Sequence, residues 1–440
     1  MKKKTILVVD GGGRGSVLVD KYSQSPHINK IIAVPGNDMM QIGQKKRVET
    51  YPRLKTTSLP EILAICQKEK VSLVDVAQDN AVEAGLVNAL QKMGIPVVGP
   101  TKKAGQIEWD KSWAREFCQR QQIPQPGFKI FHSRKEGIKY LRSQPEQQWF
   151  VKAAGLAEGK GALPAKSNKE AEKRISELKE RFGKRANTYL VEKWLTGEEF
   201  STFAFCDGNS FKIIGSAQDH KRVNDFDEGE NTGGMGCSSP PLLLTPQIMS
   251  KIEKDIITRT ISGLKEEGRP YCGVLYLGGI MVDNNPFVIE FNARWGDPEA
   301  QVILPGLKND LFEIGMAIVE GELHKLEVKM DEKSRVVVAG TSRGYPGNYD
   351  FVKGKQIFGL DKARKIKGIK IYGAGIKILE GKYFASGGRL FYIVGEGNNV
   401  IEARQKTYQA MAAVSVEGNN LHFRTDIGWR DVEYVHSRDR

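Results

Sequence analysis

The 440-residue sequence contains few of the residues that build disulfide-bonded and zinc-stabilised proteins. Its five cysteines are scattered, and no C-x-x-C pair occurs. The five histidines other than His220 show no metal-ligand spacing. These absences argue against a disulfide framework and a structural zinc site, and they favour a reducing, cytoplasmic location.

Long apolar runs, internal repeats and low-complexity segments are also absent. No run approaches the roughly 18 residues that a membrane helix needs, so we expect no membrane partner. The formal charge of +13 admits anionic partners. The densest charged run, Lys166–Arg185, has helical spacing that is typical of a solvated face, and no basic and aromatic residues interleave elsewhere. We therefore expect no nucleic-acid partner.

The first hundred residues alternate short apolar runs with amphipathic stretches. Thr5–Val9 and Ile31–Val34 are rich in β-branched residues, as buried parallel strands are. Ser58–Lys70 and Ala81–Met93 have apolar residues three and four positions apart, which predicts helices. Strands that alternate with helices predict a doubly wound α/β domain.

The later segments have different signals. A helix is predicted over Pro246–Glu267, with Thr245 as its N-cap and Gly268 after its end. Beyond residue 335, short strands flank a helix predicted over Val400–Val414, which indicates a small α+β domain.

A glycine-rich loop follows an apolar strand at residues 150–161, which read FVKAAGLAEGKG. Glycines let the backbone close over an anion, and backbone amides can hold phosphate. Lys152 adds a point charge. Gly161 stands where a P-loop has a hydroxyl residue, so the loop is not a P-loop. From the loop alone, a phosphate cradle and a flexible hairpin are equally good interpretations.

Residues 288–294 carry the stronger chemical signal. Glu290 and Asn292 lie two positions apart on a predicted strand and therefore on the same face. Two oxygen ligands on one face suit magnesium, which shares its coordination with phosphates. Arg294 could offset the charge of a transferred phosphoryl group. We favour a metal site here over a purely structural strand end.

Three further segments are weaker candidates. Residues 191–199 end an apolar strand whose backbone could contact a base. Acidic residues at a strand end are, however, more often simply solvent-exposed and have no binding role. The loops at 216–222 and 229–236 are charged or glycine-rich, and such loops commonly carry binding residues. His220 is a candidate general base, but no orienting partner is visible, so we favour a hydrogen-bonding role.

In this order, the segments resemble the phosphoribosylamine–glycine ligase family (glycinamide ribonucleotide synthetase) of the ATP-grasp superfamily. The resemblance extends from about Ile6 to Trp429. It rests on Lys-Ala-x-Gly-Leu-Ala-x-Gly-Lys-Gly (152–161), Gln-Asp-His-Lys-Arg-Val (218–223), Asn-Thr-Gly-Gly-Met-Gly (231–236), Val-Ile-Glu-Phe-Asn-x-Arg (288–294), Gly-Asp-Pro-Glu (296–299), Gly-Tyr-Pro-Gly (344–347), Ser-Gly-Gly-Arg (386–389) and Arg-x-Asp-Ile-Gly-Trp (424–429).

The resemblance implies an enzyme that joins glycine to 5-phosphoribosylamine with ATP cleavage, through a glycyl phosphate, in de novo purine synthesis. The resemblance implies that ATP is the co-substrate and that Mg²⁺ or Mn²⁺ is the metal. It also implies that the protein is a monomer or a weak homodimer. It also implies the domain organisation: a Rossmann-like doubly wound α/β domain (1–103), an ATP-grasp domain (104–330) with a mobile lid (about 124–191), and a small carboxy-terminal α+β domain (331–440).

The same resemblance assigns roles to individual residues. Those implied for ATP are Lys111, Lys152, Gly159, Lys160, Gly161, Glu192, Lys193, Trp194, Leu195 and Glu199. Those implied for the substrates are Gly13, Arg14, Asp79, Asn231, Thr232, Gly233, Asp297 and Pro298. Arg294, Lys221 and Asp219 are implied to be catalytic, and Glu290 and Asn292 to bind the metal.

Three segments depart from the family pattern. The usual Gly-Asn-Gly-Gly-Arg-Glu-His-Ala, Gly-Pro-Glu-x-Pro-Leu and His-Ala-Gly-Thr are replaced at residues 10–17, 77–82 and 373–376. The first two are implied to face phosphoribosylamine. Two alternatives therefore stay open: a carboxylate–amine ligase with another amine acceptor, and a nucleotide-binding relative without catalysis.

Overall fold

The computed structural model describes residues 3–157 and 161–438. The amino-terminal part contains a five-stranded parallel sheet in the order β3-β2-β1-β4-β5. Its strands are β1 (Lys4–Asp10), β2 (Ile28–Pro35), β3 (Arg47–Thr50), β4 (Leu73–Val76) and β5 (Val97–Val98), and its helices are α1 (Gly13–Ser23), α2 (Leu59–Lys68), α3 (Asp79–Glu83) and α4 (Leu86–Lys92).

Both faces of this sheet are buried. Ile6 and Val8 of β1 pack in a cluster with Val17 of α1, whereas Leu7 belongs to a second cluster with Ile62 of α2. Successive strand residues point to opposite faces, so each face has its own helical layer. The predicted doubly wound α/β domain is confirmed.

The predicted helix Ala81–Met93 is two helices. Gly85 separates α3 from α4 and has a φ of +87°, a conformation that glycine adopts without steric cost. The apolar spacing continues through this break, and that is why the sequence indicated one helix.

A second, smaller sheet has the antiparallel order β6-β9-β7-β8. This part of the chain comprises α5 (Gln106–Trp109), α6 (Lys111–Arg120), β6 (Phe128–Phe131), α7 (Arg134–Arg142), β7 (Trp149–Ala153), β8 (Ala162–Ala165), α8 (Asn168–Phe182) and β9 (Tyr189–Lys193). Trp149 and Val151 pack against Leu178 of α8. The sheet and its helices thus have their own apolar core.

The largest sheet is antiparallel and contains most of the remaining long strands. The next elements are β10 (Glu198–Asp207), β11 (Phe211–Asp219), β12 (Arg222–Asn224), β13 (Glu228–Asn231), β14 (Gly236–Ser239), α9 (Pro246–Lys251), α10 (Arg259–Glu266), β15 (Cys272–Val282), β16 (Asn285–Asn292), α11 (Ala300–Ile303) and α12 (Leu311–Glu320). A π-helical segment, Ile252–Thr258, makes α9 and α10 continuous, as the single predicted helix required.

The carboxy-terminal part extends the same sheet. Its elements are β17 (Ser334–Ser342), β18 (Gln356–Phe358), α13 (Leu360–Arg364), β19 (Ile369–Gly373), β20 (Ile376–Leu379), β21 (Lys382–Ala385), β22 (Arg389–Gly397), α14 (Val400–Met411), β23 (Ser415–Val416), β24 (Leu421–His422) and α15 (Trp429–Arg438). The strand order is β16-β15-β10-β11-β14-β17-β22-β19, with β24 also on β17. A separate four-stranded sheet, β20-β21-β18-β23, lies in this part.

Among the described residues, no helix is both long and apolar enough to cross a membrane.

Asp75 on β4 makes the stability of the amino-terminal domain depend on pH. It accepts a hydrogen bond of 2.8 Å from the Tyr22 hydroxyl, and burial raises its pKa from 3.8 to about 7. A carboxyl whose pKa is raised by folding stabilises the protein at low pH and loses that contribution as pH rises through its folded pKa. We expect wild type to lose on the order of 2 kcal/mol of unfolding free energy from this group between pH 5 and 8.

The Asp75→Asn variant should lack that part of the pH dependence in urea denaturation. Asp283→Asn, at an exposed turn, is the control and should follow wild type. Equal pH dependence in Asp75→Asn and wild type would contradict the assignment.

Candidate functional site

One cleft of about 650 Å³ collects most of the predicted site residues. It lies where the amino-terminal sheet, the small sheet and the largest sheet meet. The predicted residues that line it are Arg14, Asp79, Lys111, Lys152, Gly161, Glu192, Lys193, Trp194, Leu195, Glu199, Asp219, Lys221, Asn231, Thr232, Gly233, Glu290, Asn292, Arg294 and Asp297.

The other four predicted residues divide into two pairs. Gly159 and Lys160 lie outside the described residues, and Gly13 and Pro298 lie within them but do not line the cleft. Gly13 packs beneath Tyr392, and a Cβ there would come within 2.2 Å of the ring. Pro298 supports a turn instead, since a Cβ on Gly234 would come within 2.4 Å of its ring. Gly13 and Pro298 therefore act through packing in this conformation.

Glu290 and Asn292, at the end of β16, form the candidate metal site. Both line the cleft, and the Asn292 Oδ1 accepts a hydrogen bond of 3.0 Å from Arg294. Burial opposes ionisation of Glu290, but nearby Lys221 and Lys111 lower its pKa below the ordinary value. An ionised carboxylate and an amide oxygen on one strand face are a donor set that fits magnesium or manganese.

A buried ion-pair network holds Lys152 at the strand β7. The Lys152 Nζ lies 2.7 Å from Glu192 Oε2, and Arg115 Nε lies 2.7 Å from Glu192 Oε1. Burial opposes the charge of Glu192, yet the two cations lower its pKa to about 2. Glu192 is therefore ionised, and its carboxylate positions the lysine that faces the cleft.

Arg115 is a site residue that the sequence reasoning missed. It also donates to the backbone oxygens of Val288 (3.0 Å) and Ile289 (2.6 Å), so it joins α6, β9 and β16. The one available signal was its spacing, because a residue four positions after Lys111 shares a helix face with it.

Lys111 lies at the start of α6. Asp110 caps this helix by accepting a hydrogen bond of 3.1 Å from the Trp113 amide. Lys111 Nζ donates to the Gly155 oxygen at 3.3 Å, and burial lowers its pKa. The cap therefore fixes the helix start that places this lysine at the cleft.

The segment Lys193–Gly197 forms one wall of the cleft after β9. Trp194 stacks on Phe150 with ring centroids 4.5 Å apart, which fixes the backbone there. At the end of this wall, Glu199 Oε2 lies 2.9 Å from Lys221 Nζ. A cleft wall that continues from an apolar strand suits recognition of a planar base.

Arg294 is held by Glu108, the second residue that the sequence reasoning missed. Arg294 Nη2 lies 3.1 Å from Glu108 Oε1, and the Ala293 amide donates to Glu108 Oε2 at 2.7 Å. Burial raises the pKa of Glu108 to about 7, although Arg294 opposes this shift. Glu108 thus fixes both the backbone and the guanidinium next to the metal site.

Arg14 lines the amino-terminal end of the cleft, and the fully buried Asp10 lies behind it. Asp10 accepts hydrogen bonds from the amides of Gly12 (2.5 Å) and Gly15 (3.0 Å), and Arg14 Nε lies 3.0 Å from it. Gln78 also donates to Asp10, at 2.6 Å. The Asp10 carboxylate therefore takes the hydrogen bonds of amides at the start of α1, a position where anions commonly bind.

The loop Asn231–Gly233 is held by carboxy-terminal residues. The Gly233 amide donates to the Tyr345 hydroxyl at 3.0 Å, and Arg389 donates to the Asp297 oxygen at 2.9 Å. Arg389 also lines the cleft. Arg389 also donates to the backbone oxygen of Gly233, so it fixes the loop and Asp297 to each other.

His220 is a buried hydrogen-bonding residue, as the sequence indicated. Its Nε2 accepts from the Gly428 amide at 3.4 Å, and burial and nearby Arg424 lower its pKa to about 3. A neutral imidazole with so low a pKa is a poor general base near pH 7.

The fold and the cleft define an ATP-grasp ligase. Sequence models of the phosphoribosylglycinamide synthetase N domain, ATP-grasp (A) domain and C domain match residues 4–108, 109–300 and 335–430. The chain belongs to the phosphoribosylglycinamide synthetase family.

Named relatives agree with this membership. The chain is 36% identical over 436 residues to the phosphoribosylamine–glycine ligase of Caulobacter vibrioides, covering 98% of this chain and 100% of the relative. It is 37% identical to the trifunctional purine biosynthetic protein adenosine-3 of Bos taurus, but it spans only 42% of that protein's length.

Solved structures agree as well. The phosphoribosylamine–glycine ligase of Thermotoga maritima superposes with a TM-score of 0.82 at 27% identity, covering 96% of this chain and 100% of that one. The biotin carboxylase domain of Hydrogenobacter thermophilus 2-oxoglutarate carboxylase, solved with MgADP and bicarbonate, has a TM-score of 0.73 at 16% identity and covers 95% and 91%. At 16% identity, the similarity to the biotin carboxylase domain shows only that the two proteins share a fold.

The buried network around Glu192 predicts that substitutions of two arginines of α6 have very different effects on the free energy of unfolding. Arg115→Met should lower the unfolding free energy by about 3 kcal/mol, because it leaves a buried carboxylate short of a cation. Arg120→Met is the control: its side chain is 45% exposed and pairs with Glu267, so the loss should stay below about 1 kcal/mol. Urea denaturation measures both, and equal losses would contradict the role given to Arg115.

Proposed function

We propose that the chain joins glycine to 5-phosphoribosylamine with ATP cleavage, giving glycinamide ribonucleotide, ADP and phosphate, as the names of its relatives suggest. The observation that carries the proposal is the convergence of Lys111, Lys152 and Arg294 on one cleft with Glu290 and Asn292. Such a set offers cations for a triphosphate and oxygens for the metal that accompanies it.

In the first step, an oxygen of the glycine carboxylate attacks the γ-phosphorus, the bond to the β-phosphate oxygen breaks, and ADP leaves. Two anions must approach for this to occur, so their repulsion is the main barrier. Lys152 and Arg294 would bind phosphate oxygens, and Arg294 would stabilise the charge that develops in transfer. A magnesium ion held by Glu290 and Asn292 would neutralise further phosphate charge.

In the second step, the amine attacks the acyl carbon of glycyl phosphate. The carbon–oxygen bond to phosphate breaks, and the amine proton leaves with the phosphate. Water would hydrolyse the acyl phosphate, so the intermediate must be shielded. The small sheet, within the proposed lid at 124–191, would cover it.

A second candidate function differs only in the amine. The Asp10 carboxylate already accepts hydrogen bonds from backbone amides at the start of α1. Asp79 adds another acid to that end of the cleft. This arrangement favours an acceptor that brings no phosphate there. Comparing phosphoribosylamine with unphosphorylated amines in the ligation assay separates the two candidates.

We infer the remaining properties from the same reasoning. We propose that the domain boundaries fall after residues 103 and 330. We also propose that the protein is a monomer or weak homodimer and that it has no nucleic-acid partner. The five cysteines form no disulfide with one another, which suits a reducing cytoplasm.

The metal assignment predicts that Glu290→Gln abolishes nearly all turnover. The substitution keeps the shape of the side chain but removes the charge that binds the metal. ADP release with glycine, phosphoribosylamine and Mg²⁺ should fall at least 100-fold, whereas the exposed control Glu180→Gln should match wild type. Normal ligation by Glu290→Gln would refute the assignment.

The nucleotide assignment predicts that Lys152→Met weakens ATP binding at least tenfold in calorimetric titration. A methionine side chain at this position offers phosphate neither a positive charge nor a hydrogen-bond donor. Lys173→Met, whose lysine is 74% exposed on α8, is the matched control. Unchanged ATP affinity in a folded Lys152→Met protein would be incompatible with the assignment.

A further inference from the structure

A hairpin beside the cleft joins two of the residues that line it, Lys221 and Thr232. The hairpin comprises β12, β13 and the turn between them, residues 222–231. The Thr232 amide and hydroxyl both donate to the Lys221 backbone oxygen at 2.8 Å. Lys221 also lines a small cavity together with Glu290 of the candidate metal site. The hairpin therefore fixes the backbone from which this lysine extends into the cavity.

The turn of the hairpin has a backbone conformation that its own residues disfavour. Phe226 and Asp227 both have a φ of +58°, in the left-handed region that a phenylalanine rarely adopts. The Phe226 side chain is 79% exposed, so its packing does not stabilise this conformation. Contacts from another part of the chain have to hold the turn.

Residues 422–426 of the carboxy-terminal part make these contacts, and we call this segment the clamp. The Asp426 carboxylate accepts a hydrogen bond of 2.8 Å from the Phe226 amide. Asp225 accepts one of 2.8 Å from the Thr425 amide and another from the Thr425 hydroxyl. The clamp therefore holds the turn at the strained phenylalanine and at the residue before it.

Arg424 is the centre of the clamp. Its guanidinium lies 2.6 Å from Asp426 and 2.8 Å from Asp227, and it donates to the Arg222 backbone oxygen at 3.2 Å. The planar fork of an arginine makes these bonds together, which the single ammonium of a lysine cannot do. Arg424 is fully buried and does not line the cleft, so it can affect the reaction only through the hairpin.

We propose that Arg424 is a positioning residue, which holds the hairpin so that Lys221 reaches the cavity it shares with Glu290. The inference rests on the proposed function, because it takes Lys221 as a group that acts in that reaction. Lys111 and Lys152 lie on α6 and β7, outside the hairpin. Loss of the clamp should therefore reduce turnover and leave nucleotide binding intact.

The test separates turnover from nucleotide binding. Turnover is kcat for ADP release at saturating glycine, 5-phosphoribosylamine, ATP and Mg²⁺. Binding is measured by calorimetric titration with ADP, which gives an affinity and a number of sites. A merely structural role would lower kcat and the number of ADP sites by the same factor, because both follow the folded fraction of the protein.

The first variant is Arg424→Lys, which keeps the charge but loses the simultaneous bonds. It should lower kcat at least tenfold, with the ADP affinity and number of sites within twofold of wild type. Arg335→Lys is the matched control, since Arg335 is 3% exposed and pairs with Asp331 and Glu396 outside the hairpin. It should keep the wild-type kcat.

The second variant, Asp225→Ala, changes a partly exposed residue and so leaves the core of the protein intact. It removes the bonds to Thr425 alone, and kcat should fall at least threefold with unchanged ADP binding. Glu228→Ala, at an exposed acid on β13 of the same hairpin, is its control and should match wild type.

A kcat within twofold of wild type in both Arg424→Lys and Asp225→Ala would overturn the inference. An equal loss of kcat and of ADP sites in both variants would overturn it as well. If Arg424→Lys does not fold, Asp225→Ala decides the outcome by the same two criteria. Absence of glycine-dependent ADP release by wild type would overturn the proposed function instead, and the inference with it.

Discussion

The cleft depends on the pairing of charges that the fold removes from water. Glu192 is the central case: it is almost fully buried, and it is stable as an anion only because Arg115 and Lys152 contact it. Glu108 and Arg294 repeat the arrangement beside the candidate metal site. Because Lys152 and Arg294 are each held by a carboxylate, these two groups, which would meet a triphosphate, are oriented before it arrives, and little reorganisation is needed on binding.

Local patterns made much of the molecule predictable from its sequence. The alternation of apolar strands and amphipathic helices gave the amino-terminal domain, since that alternation is a direct consequence of burying both faces of a parallel sheet. Glu290 and Asn292 could be placed on one face because a strand has a period of two residues. The cap residue Thr245 marked a helix start for the same local reason.

Contacts between distant segments could not be predicted in this way. Arg115 and Glu192 are 77 positions apart, and Glu108 contacts an amide 185 positions away, so neither pair leaves a pattern in any short window. The packing of Gly13 under Tyr392 was missed for the same reason, since its glycine-rich surroundings resemble an anion-binding loop. Local sequence reasoning identified residues that line the cleft more readily than the residues that hold them in place.

The largest sheet has a consequence for how the chain can be divided. β14 pairs on one side with β11 and on the other with β17, so the hydrogen-bond ladder runs without interruption from the ATP-grasp region into the carboxy-terminal region. A fragment that ended before β17 would expose an unpaired row of backbone amides and carbonyls, a template for aggregation. The two regions therefore depend on each other for a fully paired sheet, although sequence comparison treats them as two modules.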